Sequence, residues 1–276
     1  MYNIRKIVNQ ELNMQNRVNI SDKGAFLDIY VEKTEKLRDG ILILPGGGYY
    51  NVCEDREGSP IAKAFLERGV NAFVLTYTAG ENVRFPSHLN EVAEAMKYIK
   101  DNSAALSVDP ERIFVLGFSA GGHLAGSISV MHREAEQMLG IPENSARPAG
   151  TVYCYPVVSA YHPTHGGSFY NLTGKNTVDM TDEEKARFSI DMRVGPQTPP
   201  AFIWHTVDDE IVPIAGTLKL LESYVKSGVT VTAHIYPKGP HGMALANGVT
   251  ECGNPKWVSE LVEGWVDYAV KFFKTV

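Results

Sequence analysis

The sequence contains few cysteines and no long apolar run. Its three cysteines, Cys53, Cys154 and Cys252, lie far apart and lack the spacing of metal ligands, which argues against a disulfide scaffold and a zinc module. No stretch approaches the roughly 18 consecutive apolar residues of a membrane-spanning helix. No apolar segment typical of a signal peptide follows residues 1–6. We therefore expect reduced thiols and a cytoplasmic location.

The sequence also lacks a surplus of positive charge. Its 26 basic residues are outnumbered by 32 acidic ones, which gives a formal net charge of −6, and no basic cluster is present. Nucleic acids and anionic membranes are therefore not expected as partners. The phosphate-binding patterns G-x-x-x-x-G-K-[ST] and G-x-G-x-x-G are absent as well. We expect neither a cofactor nor a metal ion.

What the sequence does have is a regular alternation of apolar runs with segments of helical periodicity. The continuous apolar runs, typical of strands buried on both faces, are residues 41–44, 72–77, 112–116, 152–158 and 202–205. The segments between them carry apolar residues at the spacing of one helix face. This order predicts an α/β fold, a doubly wound and mostly parallel sheet with helices on both faces.

The two ends of the chain differ from this pattern. Residues 1–40 alternate apolar and polar positions, which predicts antiparallel edge strands with one solvent-exposed face. Residues 255–273 have the periodicity of one amphipathic helix. We expect the whole chain, residues 1–276, to form a single domain.

One interval interrupts the alternation. Residues of about 159–199 are polar and include a helix-like stretch at 181–188. An insertion of this length between two strands is usually functional, often a lid over a site. We therefore expect a short cap here, and the alternative is a disordered surface excursion.

The pentapeptide at residues 117–121, Gly-Phe-Ser-Ala-Gly, directly follows an apolar run and precedes a segment of helical periodicity. It matches the G-x-S-x-G nucleophile elbow, in which a tight turn lifts the serine hydroxyl above the sheet edge. Ser119 is thus the candidate nucleophile. A glycine-rich connection without chemistry is the alternative, and the choice depends on whether the chain supplies a base, an acid and oxyanion donors.

The orienting acid should follow a later strand, because sites on parallel sheets gather at the carboxyl ends of strands. Three adjacent carboxylates occupy residues 208–210, directly after an apolar run. Asp209 is the preferred candidate, since its spacing to Pro213 places it in the loop before the next helix. Asp208 is the second choice, with the capping of turn amides as its alternative role. Glu210 is expected to face water.

The general base should be a histidine near the end of the chain, and the sequence has eight to choose from. His241 lies in a glycine-flanked loop directly after a predicted strand, so its ring can turn toward Ser119. His234 falls inside the strand and His123 one turn into the helix after Ser119, which predicts packing roles for both. His162 and His165 have H-x-x-H spacing without a third ligand. No partner pattern is found for the remaining three, His88, His132 and His205.

An oxyanion hole needs backbone N–H groups directed at the developing negative charge. The residue after the nucleophile, Ala120, supplies one such group, and the loop after an earlier strand supplies the other. Glycines at residues 46–48 fit that second position, because glycine allows close approach of the backbone to a substrate. We predict Gly47 or Gly48 as the donor. Phosphate binding is the alternative for this loop.

With these parts in place, the chain resembles the α/β-hydrolases, and within them the group of bacterial acetyl esterases and acetylxylan esterases. That group is related to the catalytic domains of prolyl-oligopeptidase-type peptidases. The segments that carry the resemblance are residues 44–49, 109–113, 117–125, 205–213 and 239–242. Pro45 stands where lipase-type members have the histidine of H-G-G-G, which argues against close kinship with lipases.

The resemblance implies a carboxylic-ester hydrolase with Ser119, His241 and Asp209 as triad and an acyl-enzyme intermediate. It also implies a small ester substrate with a short acyl group, such as an acetylated sugar. Two alternatives stay open: a prolyl-oligopeptidase-like peptidase, and a non-catalytic ligand-binding module on the same fold. A homo-oligomer is compatible with the sequence.

Overall fold

The computed structural model describes residues 16–276. Their strands are β1 (Asn16–Asn19), β2 (Phe26–Tyr30), β3 (Arg38–Leu44), β4 (Asn71–Thr76), β5 (Val108–Phe118), β6 (Thr151–Cys154), β7 (Ala201–Thr206) and β8 (Val231–Tyr236). Their α-helices are α1 (Glu54–Glu57), α2 (Ser59–Leu66), α3 (Ser87–Asp101), α4 (Ser103–Leu106), α5 (Ser119–Leu139), α6 (Gly166–Thr173), α7 (Asp182–Phe188), α8 (Ala215–Lys226) and α9 (Trp265–Phe273). Short 3₁₀ helices cover Thr177–Asp179, Ile190–Met192 and Pro255–Trp257.

These strands form one sheet in the order β1-β2-β4-β3-β5-β6-β7-β8. The pairings β1–β2 and β2–β4 are antiparallel, and every pairing from β4 through β3 to β8 is parallel. Because the parallel strands all point the same way, the loops at their carboxyl ends meet at one edge of the sheet. The predicted mostly parallel sheet is confirmed.

The alternating side chains of β3 show that both faces of the sheet are covered. Ile41 and Ile43 join a buried apolar cluster that includes residues of α2 and α9, whereas Leu42 and Leu44 join one with residues of α3 and α5. All four side chains are fully buried. A strand buried on both faces reads as a continuous apolar run, so helices on both faces are confirmed.

The N-terminal strands differ in part from the prediction. β1 and β2 are antiparallel as expected, but β2 has no solvent-exposed face, since Leu27, Asp28, Ile29 and Tyr30 are all buried. Asp28 is accommodated because Arg17 on β1 donates two hydrogen bonds to its carboxylate, at 2.7 and 2.9 Å. A polar position in the pattern was thus wrongly interpreted as solvent-facing. The first part of the predicted region, residues 1–15, lies outside the described residues.

The single helix predicted for residues 255–273 is wrong in its first half. A 3₁₀ helix at Pro255–Trp257 is followed by turns, and α9 begins only at Trp265 after Gly264. This segment is bound to the loop that follows β8. The Trp257 indole N–H donates to the His241 carbonyl at 3.1 Å, and the Ser259 N–H donates to the Ala246 carbonyl at 2.9 Å. These tertiary contacts replace the helical ones.

The insertion between β6 and β7 is ordered in the structure. It contains α6, α7 and two of the 3₁₀ helices. The stretch predicted to be helical is α7, whose capping residue Thr181 forms a capping box with Glu184. The alternative of a disordered excursion is therefore wrong.

Cys53, Cys154 and Cys252 are free and form no disulfide with one another. Across residues 16–276, no helix has the length and apolar character needed to cross a membrane.

Candidate active site

Ser119 occupies the turn between β5 and α5, with a left-handed backbone φ of +53°. The glycines around it let strand and helix come into contact. A Cβ added to Gly117 would lie 2.0 Å from the Gly121 carbonyl oxygen, and one added to Gly121 would lie 2.1 Å from that of Leu44. Because neither position accepts a side chain, the local sequence fixes a strained turn with a serine at its apex.

The structure brings Ser119, His241 and Asp209 together, although they follow three different strands. His241 Nε2 lies 2.8 Å from the Ser119 Oγ, and His241 Nδ1 lies 2.7 Å from Asp209 Oδ2. Ser119 and Asp209 are buried, while His241 is half-buried. The tautomer that fits has Nδ1–H donating to Asp209 and Nε2 accepting from the serine hydroxyl. This arrangement can take a proton from the serine.

The Asp209 carboxylate is fully engaged by hydrogen bonds. Its Oδ1 accepts from the N–H groups of Ile211 and Val212, both at 2.9 Å, and its Oδ2 also lies 3.2 Å from His205 Nε2. Burial alone would raise the pKa of Asp209, but hydrogen bonds from His205, His241 and the backbone hold it well below its ordinary value. Asp209 is therefore a carboxylate that can orient His241 and offset a positive charge on its ring.

His205 was missed by the sequence interpretation, which found no partner pattern for it. The side chain is fully buried at the end of β7. Its Nε2 approaches both Asp209 Oδ2 and, at 3.0 Å, the Val212 carbonyl, and its Nδ1 lies 2.8 Å from Thr217 Oγ1. His205 thus holds the acid loop to the start of α8. The only sequence signal was a histidine at the end of an apolar run four residues before an acid.

The two neighbouring carboxylates do not contact the imidazole of His241 in the structure: Asp208 has the turn-capping role that was its alternative, and Glu210 faces water as expected. Asp208 is exposed, and its Oδ1 accepts the Gly239 N–H at 2.7 Å, so it caps the turn that leads to His241. Glu210 is exposed to water. Of the three adjacent acids, Asp209 is the one in contact with the imidazole.

The glycine loop at residues 46–48 lies directly against the serine. A Cβ added to Gly46 would be 3.0 Å from the Ser119 Cβ. The Gly46 N–H donates to Glu57 Oε2 at 2.7 Å, whereas the N–H groups of Gly47 and Gly48 have no acceptor within residues 16–276. Ala120 belongs to the first turn of α5, whose N–H groups lack intrahelical acceptors. These three N–H groups can serve an anion beside Ser119.

The other histidines singled out in the sequence have separate partners. His123 is buried between Tyr49 Oη, 2.8 Å from its Nδ1, and the Phe188 carbonyl, 2.7 Å from its Nε2, which agrees with a packing role. His162 contacts Thr177 at 3.0 Å, and His165 contacts Ser168 at 2.9 Å. In the part of the chain that the structure describes, no group of three or more His, Cys, Asp or Glu side chains could hold a metal ion.

The mostly parallel eight-stranded sheet, with a strained serine at the β5–α5 turn, defines the chain as an α/β hydrolase. More narrowly, the chain belongs to the BD-FAE family, whose model matches residues 27–224. The resemblance to α/β-hydrolase esterases that was noted from the motifs is thereby confirmed.

Comparison with individual proteins points in the same direction. The chain is 34% identical over 224 residues to the endo-1,4-beta-xylanase B of Butyrivibrio fibrisolvens, covering 79% of this chain and 34% of that protein. It is 26% identical over 231 residues to the acetylxylan esterase of Xylanibacter ruminicola, covering 83% of this chain and 46% of the relative. The chain therefore spans less than half the length of these two relatives.

One solved structure matches this chain over most of the length of both proteins. The acetyl ester-xyloside bifunctional hydrolase of Caldicellulosiruptor lactoaceticus is similar with a TM-score of 0.77 and 31% sequence identity, over 91% of this chain and 88% of that one. The shared fold is thus not limited to the turn at Ser119 but covers most of both chains.

Proposed function

We propose that this protein hydrolyses short-chain carboxylic esters through an acyl-enzyme formed on Ser119. The observation that carries the proposal is the continuous hydrogen-bonded chain from Ser119 through His241 to Asp209. The N–H groups of Gly47, Gly48 and Ala120, which have no acceptor among residues 16–276, support it as candidate donors to an oxyanion. Family membership supports it, since relatives of this chain include an acetylxylan esterase.

In the first step, Ser119 Oγ attacks the ester carbonyl while its proton passes to His241 Nε2. Asp209 accepts the Nδ1–H of the ring and stabilises the imidazolium that forms. The imidazolium then gives its proton to the leaving alcohol, and the acyl group stays on Ser119. A water molecule activated by the same ring releases the acid and restores the serine.

The negative charge of the tetrahedral intermediate falls on the former carbonyl oxygen. We assign its stabilisation to the N–H groups of Ala120 and of Gly47 or Gly48. Gly47 has a φ of +129° and Gly48 one of +66°, values that favour glycine.

Gly47 and Gly48 differ in the space around them, which gives a matched pair of variants. A Cβ on Gly47 would meet the Asn51 carbonyl oxygen at 2.1 Å, whereas one on Gly48 would have only contacts of 3.9 Å. We expect Gly47→Ala to displace the loop and lower kcat about 100-fold, the effect of losing one oxyanion donor. Gly48→Ala should cost about tenfold or less, because it adds only backbone strain.

Steady-state kinetics on p-nitrophenyl acetate, with folding checked by circular dichroism, separates the two variants. Equal losses of kcat in Gly47→Ala and Gly48→Ala would contradict the assignment of the loop, because the structure predicts displacement for the first variant alone.

We propose acetylated sugars as the substrate class, with residues of about 159–199 as the cap that selects the alcohol. The named activities of an acetylxylan esterase and an acetyl ester-xyloside bifunctional hydrolase among its relatives support this choice. The segment also contacts the oxyanion loop: Asn171 Nδ2 donates to the Gly48 carbonyl at 2.9 Å, and the half-buried His165 borders Gly48. A leaving sugar would therefore contact this segment.

A substrate panel tests this proposal. We expect p-nitrophenyl acetate to exceed the octanoate ester in kcat/KM by at least about tenfold, since a short acyl group suits an acetyl site. Acetylated xylose or xylan should release acetate in the same preparation. A preference for the octanoate ester would contradict the acetyl assignment, and faster cleavage of a prolyl amide than of an acetyl ester would favour a peptidase.

A further inference from the structure

The four-residue helix α1 lies between the oxyanion loop and the loop that carries His241. Its last residue, Glu57, is buried with 2% of its surface exposed. Glu57 Oε2 accepts the Gly46 N–H at 2.7 Å, and Glu57 Oε1 accepts the Tyr155 hydroxyl at 2.7 Å. One carboxylate therefore joins the glycine loop after β3 to the residue that follows β6.

The same chain of hydrogen bonds continues to the histidine loop. The Tyr155 hydroxyl accepts the Ala244 N–H at 3.0 Å while it donates to Glu57. Its ring also packs edge-on against the His241 ring, with centroids 5.0 Å apart. Gly46, Glu57, Tyr155 and Ala244 thus form one buried series that links the two loops on either side of Ser119.

A second contact from α1 fixes the histidine loop from the outside. Arg56 Nη1 donates to the Gly242 carbonyl at 2.5 Å, and its guanidinium lies 4.0 Å above the Trp257 ring. Trp257 in turn donates to the His241 carbonyl. Adjacent residues of α1 therefore hold the oxyanion loop and the histidine loop in one relative position.

We propose that Glu57 is a positioning residue that sets the oxyanion loop relative to Ser119 and His241. By holding the Gly46 N–H, it orients the next two N–H groups toward the substrate oxygen. This inference rests on the proposed ester hydrolysis and deepens it. A carboxylate is needed because both partners donate: it offers two acceptor oxygens, whereas a glutamine amide offers one acceptor and one donor group.

A burial cost accompanies this arrangement. Burial raises the pKa of Glu57, and the hydrogen bonds from Tyr155 and Gly46 only partly oppose the shift. A buried carboxylate without hydrogen-bond donors would destabilise the fold. Glu57 accepts from two donors that belong to two different loops, which offsets part of this cost.

The experiment replaces Glu57 with glutamine and compares it with Glu136→Gln. Glu136 is also buried and accepts a single backbone N–H, that of Ala146 at 2.9 Å. It lies 17 residues after Ser119 on α5, which is roughly 25 Å along the helix. Both variants make the same chemical change in a buried site, but Glu136 contacts neither loop.

We expect Glu57→Gln to lower kcat by about 10- to 100-fold with KM within about threefold of the wild type. The affinity for an alkylboronic acid, whose serine adduct places an oxygen in the oxyanion position, should fall by a similar factor. Glu136→Gln should keep the wild-type kcat. Active sites are counted by fluorophosphonate titration, so that rates refer to folded enzyme.

Tyr155→Phe provides the second variant, because it removes the middle of the series and leaves Glu57 in place. We expect a loss of kcat in this variant too, and a loss in the double variant smaller than the product of the single losses. A kcat within about threefold of the wild type in Glu57→Gln, with only a lower melting temperature, would overturn the proposal. If Glu57→Gln does not fold, an unchanged boronate affinity in Tyr155→Phe would overturn it instead.

These results are distinguishable from a failure of the proposed function itself. If the proposed function is wrong, the wild-type protein neither hydrolyses acetyl esters nor reacts with fluorophosphonate at Ser119. The positioning role of Glu57 fails on its own when the wild type is active and labelled while Glu57→Gln matches Glu136→Gln in kcat and boronate affinity.

Discussion

Replacing Ser119 with alanine is expected to lower kcat for p-nitrophenyl acetate by a factor of about 10⁴ or more, with the fold unchanged. In the described residues 16–276, the Ser119 hydroxyl lies 2.8 Å from His241 Nε2, which places it to form the proposed acyl-enzyme. Removing the nucleophile of a serine triad leaves only the residual rate that oxyanion donors and binding provide. Alanine also removes no packed side-chain bulk beyond the hydroxyl.

Ser127 offers a matched control on the same helix. It is buried like Ser119, but its hydroxyl donates to the His123 carbonyl at 2.8 Å, one turn back along α5. We expect Ser127→Ala to keep kcat within about threefold of the wild type, because such a bond within the helix adds little to stability. Initial rates for the wild type, Ser119→Ala and Ser127→Ala, normalised to folded protein, test this prediction. Full activity in Ser119→Ala would contradict the proposed mechanism.

The second large effect is expected for Asp209→Asn. The amide keeps the size of the side chain but removes the charge, and it can hold the imidazole in the wrong tautomer, with Nε2 protonated toward the serine. In a serine triad this change lowers kcat by about 10⁴. The loss should be large here because Asp209 is buried and is the acid in contact with His241 Nδ1.

Asp208→Asn is the control for this prediction. Asp208 is adjacent and of the same residue type, but it is exposed, and among residues 16–276 its carboxylate accepts a hydrogen bond from the Gly239 N–H alone. We expect its kcat to stay within about fivefold of the wild type, the cost of weakening one surface hydrogen bond. Initial rates on p-nitrophenyl acetate, measured under the same conditions and normalised to folded protein, compare both variants. A larger loss in Asp208→Asn than in Asp209→Asn would reverse the assignment of the acid.

The parts of the site that could be predicted from sequence are those with a local physical cause. Ser119 is predicted as the nucleophile because glycines must flank a strained turn between a buried strand and a helix. Asp209 and His241 followed because parallel strands end at one edge of the sheet, so residues after different strands become candidates for the same site. The continuous apolar runs predicted the central strands for an equally local reason, their burial on both faces.

The parts that were missed depend on contacts between distant segments. His205 resembles any polar residue at a strand end until the fold places Asp209 and Val212 beside its ring. Glu57 meets Tyr155, which is 98 residues away in the chain, and no pattern in either segment indicates the other. The C-terminal helix was predicted too long for the same reason. Trp257 donates a hydrogen bond to the histidine loop, and the spacing of apolar residues in the sequence does not indicate such a contact.

The central claim is that Ser119 is an activated nucleophile, and covalent labelling tests it most directly. The protein of residues 1–276 is treated with a fluorophosphonate, and its intact mass and peptide map are recorded by mass spectrometry. We predict one adduct per chain, located on Ser119, absent in Ser119→Ala and much slower to form in Asp209→Asn. An unlabelled wild-type protein, or an adduct on another residue that persists in Ser119→Ala, would contradict the account.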